Sequence, residues 1–179
     1  MDARPQPDYR VGTPPDAAAL ATVTLAAFAT YHEWASPTWS PAGPPGEHEA
    51  RLLAKRLSLP GYWCLMAEVS GEAVGYVVMR PAVTTGDDPQ PIPGLAHIWH
   101  LFVKPAWWGT GVAKRLHDAA VDEARRWESE AMRLWTPQGN ARARGFYVRE
   151  GWRETGAEHY SEELDLTLLE YRRPVMLVP

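Results

Sequence analysis

The sequence predicts an α+β fold: one sheet with helices on its faces. Three observations carry this. Strand-like and helix-like patterns follow one another in the order β-α-α-β-β-β-α-β-α-β-β. The chain has 179 residues, a length that suits one domain. Hydrophobic residues make up 45% and charged residues 22%, which excludes a disordered chain and supplies a sizeable core.

Each element has a local reason. Residues 1–8 are expected as a mobile tail and 9–179 as a single domain. A short strand covers 9–12. Thr13, Pro14 and Asp16 then open a helix, with Thr13 and Asp16 at capping-box distance and Pro14 in the first turn. Leu20, Val23, Ala27 and Phe28 share one face of it. Residues 31–46 form a loop, punctuated by Pro37, Pro41, Gly43, Pro44, Pro45 and Gly46. A helix follows over 47–59, stopped by Pro60 and Gly61. Strands cover 62–69 and 73–80, joined by a tight turn at Ser70, Gly71 and Glu72. Residues 84–93 are expected to loop, because Gly86, Asp87, Asp88 and Pro89 oppose a ladder. A fourth strand runs over 95–103 and stops at Pro105. The clearest helix spans 111–128, with Ala113, Leu116, Ala120, Ala124 and Trp127 at steps of three and four. A strand at 131–136, a helix at 140–150 ended by Gly151, and strands at 152–155 and 164–172 complete the chain.

Composition narrows the function. The formal net charge is −4 and no run of like charge occurs, so no nucleic-acid partner is expected. The single cysteine, Cys64, excludes an intrachain disulfide, and its apolar flanks suggest a buried position. No signal-like segment opens the chain, and no apolar run approaches the roughly 20 residues of a membrane span. A cytoplasmic protein without a membrane partner is expected. The six histidines show no metal-ligand spacing, so no metal is expected.

The segment from Leu101 to Ala113 reads strand, tight turn, helix. Gly109 and Gly111 let the backbone turn sharply, and the helix start behind them offers N–H groups and a dipole to an anion. The pair could equally be a plain tight turn. It is no P-loop, because neither glycine belongs to a G-x-x-x-x-G-K-[ST] run. It is no dinucleotide fingerprint either, because Lys114 occupies the final glycine's place.

Leu101, Val103 and Pro105 match L-x-V-x-P, and Trp108 to Ala113 match (Q/R)-x-x-G-x-(G/A) in layout, with Trp108 where the pattern has Gln or Arg. Downstream, Asn140, Ala143, Phe146 and Tyr147 match N-x-x-A-x-x-F-Y, followed by Gly151-Trp152. In both motifs and their order the chain resembles the GNAT superfamily of N-acetyltransferases, over about residues 9–172. The resemblance implies a central mixed, mostly antiparallel twisted sheet of about seven strands. It also implies acetyl-CoA as co-substrate and acetyl transfer to a primary amine of a small molecule or peptide. The alternative is a non-catalytic acyl-CoA-binding regulatory module of the same fold. A homodimer is allowed, since last strands in that family often pair between subunits.

The implied site residues follow. Leu101, Phe102 and Val103 would pair their backbone with the pantetheine arm. Trp108, Gly109, Thr110, Gly111, Val112, Ala113 and Lys114 would form the phosphate cradle. Asn140 and Ala143 would complete the cofactor site, although Asn140 also suits a helix cap. Tyr147 would protonate the departing thiolate; its other reading is a core aromatic. His97, four residues before Leu101, is the candidate base, and a histidine packed structurally in the sheet is the competing reading. Trp99 shares its side of the strand, with His100 on the other. His32 and Trp34, with Trp99, are placed against the acceptor; the early loop with Tyr31 and Trp39 would form one wall and the 84–93 segment another. His32 and Glu33 are outside candidates for the base.

Overall fold

A computed structural model describes residues 5–36, 38–40, 46–85 and 88–175. The expected order of elements is borne out. The strands are β1 (Asp8–Val11), β2 (Trp63–Val69), β3 (Glu72–Val83), β4 (Pro91–Val103), β5 (Ala131–Pro137), β6 (Arg153–Ser161) and β7 (Leu166–Pro174). The helices are α1 (Ala17–Phe28), α2 (Glu47–Leu57), α3 (Val112–Arg126) and α4 (Ala141–Arg149). The strands make one seven-stranded sheet in the order β1-β2-β3-β4-β5-β7-β6. β4 and β5 run parallel, while β1–β2, β2–β3, β5–β7 and β6–β7 are antiparallel. This is the mixed, mostly antiparallel sheet that the resemblance implied.

The described residues gather into two compact units, each made of three stretches separated along the chain. The first holds residues up to 29, 46–79 and 100–120; the second holds the described residues of 30–42, 80–99 and 121–175.

In the first unit, alternation along β3 puts a helix on each face. Tyr76 reaches Thr24 of α1, hydroxyl to hydroxyl, at 2.6 Å. Its neighbour Gly75 faces the other way, where an added Cβ would sit 3.1 Å from Val103 and Val112 and 3.2 Å from Leu116. α3 therefore packs close enough that a side chain at 75 would press on all three. The expected start of the first helix is present as a 3-10 turn, Pro14–Asp16, leading into α1. The Asp16 carboxylate accepts from the Thr13 N–H and hydroxyl, both at 2.8 Å. Cys64 is buried, as expected.

In the second unit, register decides which residues share a face. His97 pairs with Arg133, Arg133 with Arg172, and Trp135 with Glu170, so these side chains lie on one side. Ala96, Ile98, Met132, Leu134, Leu169 and Tyr171 alternate with them and are buried on the other side. That side carries Tyr147 and Trp152, whose rings lie 6.4 Å from Tyr171 and 5.8 Å from Tyr147 respectively.

Several boundaries differ from the sequence reading. β1 includes Asp8, so the expected tail is shorter; residues 1–4 lie outside the described residues. β4 begins at Pro91 rather than at Leu95, and β3 runs on to Val83. Thr84 N–H donates to the Gln90 carbonyl at 2.8 Å and Gln90 N–H to the Thr84 hydroxyl at 2.9 Å, which close the connection. Pro91 and Pro93 are two apart, so their missing donors fall on one edge and the strand tolerates them. Gly86 and Asp87 lie outside the described residues, as do Pro37, Pro41, Gly43, Pro44 and Pro45. β6 runs to Ser161, well past 155. A register shift between Glu154 and Glu158, with Gly156 at φ 85°, lets the strand bend and continue. Among the described residues, no helix is long and apolar enough to cross a membrane.

Candidate active site

The first unit holds the strand–turn–helix segment. At the end of β4, Lys104 N–H donates to the Val74 carbonyl at 2.9 Å, which anchors the strand's last step. A 3-10 turn, Pro105–Trp107, follows. The Trp108 indole N–H reaches back to the Val103 carbonyl at 2.8 Å, and the Thr110 hydroxyl donates to the Trp107 carbonyl at 2.7 Å. Gly109 has φ 74° and Gly111 φ 91°. A Cβ at either would meet nothing within 4 Å, so backbone conformation rather than crowding calls for glycine there. The same openness leaves room in front of the helix start. The bond from Arg115 N–H to the Gly111 carbonyl, at 3.0 Å, begins α3. Helix geometry leaves the earlier N–H groups, such as those of Val112 and Ala113, without an intrahelical acceptor. They can serve an anion. Val112 is buried and fixes the turn to the core, while the Lys114 ammonium lies 2.9 Å from Asp118 in an exposed pair.

Phe102 packs edge-on against Phe28 at 5.6 Å and against His100 at 5.1 Å. Here the sequence reading missed a polar chain that runs from the core to the half-buried His100. Thr24, Tyr76 and His100 are linked in series, the last step being Tyr76 hydroxyl to His100 Nδ1 at 3.0 Å. Burial, and secondarily the Arg56 charge, lower His100 to about 3. A threonine on the apolar face of α1 and a tyrosine inside β3 were the available signals.

The second unit holds the remaining candidates. Asn140 caps α4, its Oδ1 accepting from Ala143 N–H at 3.0 Å. One helical turn on, Tyr147 is 7% exposed and packs against Phe146 at 5.3 Å and Trp152 at 5.8 Å. Burial raises its pKa above the ordinary phenol value. Tyr31 is also raised, by burial first and then by Tyr147. Tyr31 stacks with Trp34 at 4.3 Å and Trp39 at 4.8 Å. Trp34 lies over Gly139, where a Cβ would come within 2.8 Å of its ring. The Trp39 indole donates to the Leu164 carbonyl at 2.6 Å. The tryptophans thus hold the early loop against the strand ends, with Trp34 and Trp99 half-buried and His32 and Glu33 exposed.

His97 is buried, with Nδ1 3.2 Å from the Arg133 carbonyl. A carbonyl only accepts, so in that contact Nδ1 is the donor. The β4–β5 ladder ends one residue later, at Ile98 with Leu134.

The sequence model of the acetyltransferase (GNAT) family matches residues 28–152. The chain belongs to the GNAT family. An uncharacterized N-acetyltransferase of Archaeoglobus fulgidus is 30% identical over 89 residues, covering 50% of this chain and 58% of that protein. An uncharacterized N-acetyltransferase of Lactobacillus delbrueckii subsp. lactis is 23% identical over 55% of this chain and 56% of its own length. The chain thus spans a little over half of these relatives. Solved GNAT structures share the fold. A ribosomal-protein-alanine N-acetyltransferase from Brucella melitensis superposes with TM-score 0.68 at 21% identity, covering 93% of this chain and 99% of that one. PaiA N-acetyltransferase from Thermoplasma acidophilum, in complex with coenzyme A, gives 0.61 at 16% identity, covering 92% and 97%. Within this GNAT chain, both sequence motifs fall inside the matched residues.

Proposed function

We propose that the chain is an acetyl-CoA-dependent N-acetyltransferase, with 9–179 working as one catalytic domain. It would move an acetyl group to a primary amine of a small molecule or peptide by direct attack. The observation that carries this is the turn at Gly109 and Gly111, both at positive φ with open space before α3. Family membership supports it, as does the coenzyme A complex of the Thermoplasma relative.

Acetyl-CoA would supply the acetyl group on a thioester. Backbone donors from Trp108 to Lys114 would hold its phosphates, and the backbone of Leu101, Phe102 and Val103 its pantetheine arm. Asn140 would contribute through its amide N–H₂, since its Oδ1 is engaged with Ala143. Nε2 of His97 would take the proton from the acceptor amine, whose nitrogen then bonds to the acyl carbon through a tetrahedral intermediate. As the C–S bond breaks, Tyr147 would give its proton to sulfur. A phenol raised by burial keeps that proton at neutral pH, as a general acid requires. Aromatic groups of the early loop suit an apolar or aromatic amine, with Trp34 and Trp99 as contacts and His32 at the exposed edge.

Calorimetric titration with acetyl-CoA, beside ATP and NADH, tests the cradle. Saturable binding of acetyl-CoA alone, followed by amine-dependent release of free CoA, is the expected result. Binding with no release for any amine in a broad panel would turn the reading to a non-catalytic acyl-CoA-binding module. No binding at all would overturn both.

A further inference from the structure

The second unit contains a cavity of about 380 Å³ on the β5–β7 face opposite Tyr147. That volume lies at the low end of the roughly 300–1,000 Å³ of small-molecule sites. Arg133, Trp135, Glu170, Arg172 and His159 line it, with Thr84 at the β3–β4 connection. Register explains the grouping, since Arg133 opposes Arg172 and Trp135 opposes Glu170 on one face.

Arg133 is the unusual member. It is 5% exposed, yet its side chain has few protein acceptors. Nη2 donates to the Val83 carbonyl at 2.9 Å. Among the described residues, no group accepts from its buried Nε. A buried cation with unused donors is costly unless an anion accompanies it. Glu170 is the buried carboxylate nearby, and both its oxygens are engaged. Oε1 accepts from Arg172 at 3.0 and 3.2 Å, and Oε2 accepts from the Thr155 hydroxyl at 2.8 Å. Desolvation lowers the Arg133 pKa, Arg80 and Arg172 push the same way, and Glu170 opposes them. Glu170 thus stands between Arg133 and Arg172, hydrogen-bonded only to the second. Glu158 also lines the cavity, from an exposed position. Two carboxylates beside the site disfavour a doubly charged phosphate, which leaves a monoanion as the fitting ligand. Trp135, half-buried, meets His159 edge-on at 6.0 Å and offers a flat apolar wall.

We infer that this cavity binds a small aromatic carboxylate, its oxygen accepting from the terminal Nη1 edge of the Arg133 guanidinium, which lines the cavity, and its ring lying against Trp135 and His159. The site does not depend on acetyl transfer and is tested without acetyl-CoA. The probe is phenylacetate, titrated calorimetrically into the full chain, with phenylacetamide as the uncharged control. Phenylacetate is expected to saturate, and phenylacetamide to bind at least about tenfold more weakly, the loss expected for one charge-assisted hydrogen bond. Arg133→Gln should weaken phenylacetate by a similar factor. His159→Ala, at an exposed position, should weaken both probes by the same few-fold, because it removes wall and not charge. If Arg133→Gln does not fold, the phenylacetamide ratio and His159→Ala decide. Absence of saturable phenylacetate binding, equal affinity for the two probes, or unchanged affinity in His159→Ala would each overturn the assignment.

Discussion

Replacing Tyr147 by phenylalanine separates the ring's packing from the hydroxyl's chemistry. The ring touches Phe146, Trp152 and Tyr171 at centroid distances of 5.3, 5.8 and 6.4 Å. Phenylalanine keeps every one of those carbons, so no cavity forms. No group among the described residues hydrogen-bonds the Tyr147 hydroxyl. The hydroxyl keeps contact with solvent, so its removal should change stability by less than about 1 kcal/mol. Turnover should fall by about 10²–10⁴-fold if the hydroxyl is the proton donor. The pH dependence has a definite sign. Burial raises the folded-state pKa above the ordinary 10.0, so above that pH the unfolded chain has released a proton that the folded chain retains. The stability contribution is complete below about pH 10 and is lost as pH climbs toward the folded value. Tyr147→Phe removes that share of the alkaline loss, while Tyr31, shifted the same way, retains its own. Melting curves from about pH 7 to 11 and steady-state CoA release measure the two effects separately. Unchanged turnover would remove Tyr147 as the acid. A destabilisation beyond about 2 kcal/mol at pH 7 would mean that the hydroxyl has a structural partner, and the packing argument would fail.

Three further outcomes are expected. Trp108→Phe keeps an aromatic ring but loses the donor to Val103, so acetyl-CoA affinity should drop while the melting temperature shifts by the worth of one hydrogen bond, about 1 kcal/mol; unaltered affinity would show that the indole does not set the turn. Gly111→Ala meets no atom within 4 Å but forces alanine to φ 91°, costing about 1–2 kcal/mol by urea denaturation, and a cost near zero would contradict the turn geometry. His100→Leu should destabilise at pH 7, because the Tyr76 hydroxyl loses its hydrogen bond to Nδ1. Its stability should also become less sensitive to acid. Folding holds His100 near 3, so the wild-type contribution is full above about pH 6.5 and is lost as pH falls toward 3. An acid limb that stays equally steep in the variant would assign it elsewhere.

The parts of the fold legible in the sequence are those where one face is buried and the other is not. α3 was legible because Leu116, Ala120 and Ala124 recur at helical spacing and all three are fully buried. The Thr13–Asp16 cap was legible because both partners lie within four residues. β6 was cut short because residues 153–160 are exposed on both faces, which erases the alternation by which a strand is recognised. The start of β4 was read as loop because prolines signal loops, although two prolines two apart leave the ladder edge intact. At the candidate site, the individual residues were legible and their partners were not. Nothing local says that the Arg133 carbonyl takes Nδ1 of His97, or that Trp34 covers Gly139. Those contacts join segments 36 and about 100 residues apart, and only the folded register makes them.

Trp108 shows how a departure from a motif can preserve what the motif does. The pattern it interrupts carries Gln or Arg, which share with tryptophan one capability, a side-chain N–H. In this chain that donor turns back to the carbonyl of Val103, the last residue of β4, and ties the strand end to the turn. The groups proposed to hold an anion are backbone N–H groups at the start of α3, and their direction depends on Gly109 and Gly111 and on the turn that the indole ties to the strand end. The indole is longer and flatter than an amide, and its single donor cannot also reach outward once it is bound to Val103. On the proposed reading, the side chain at 108 therefore acts by holding the turn, and the backbone N–H groups are left to meet the phosphates. This makes the positive φ values of the two glycines the more demanding requirement of the turn, and the side chain at 108 the more replaceable one.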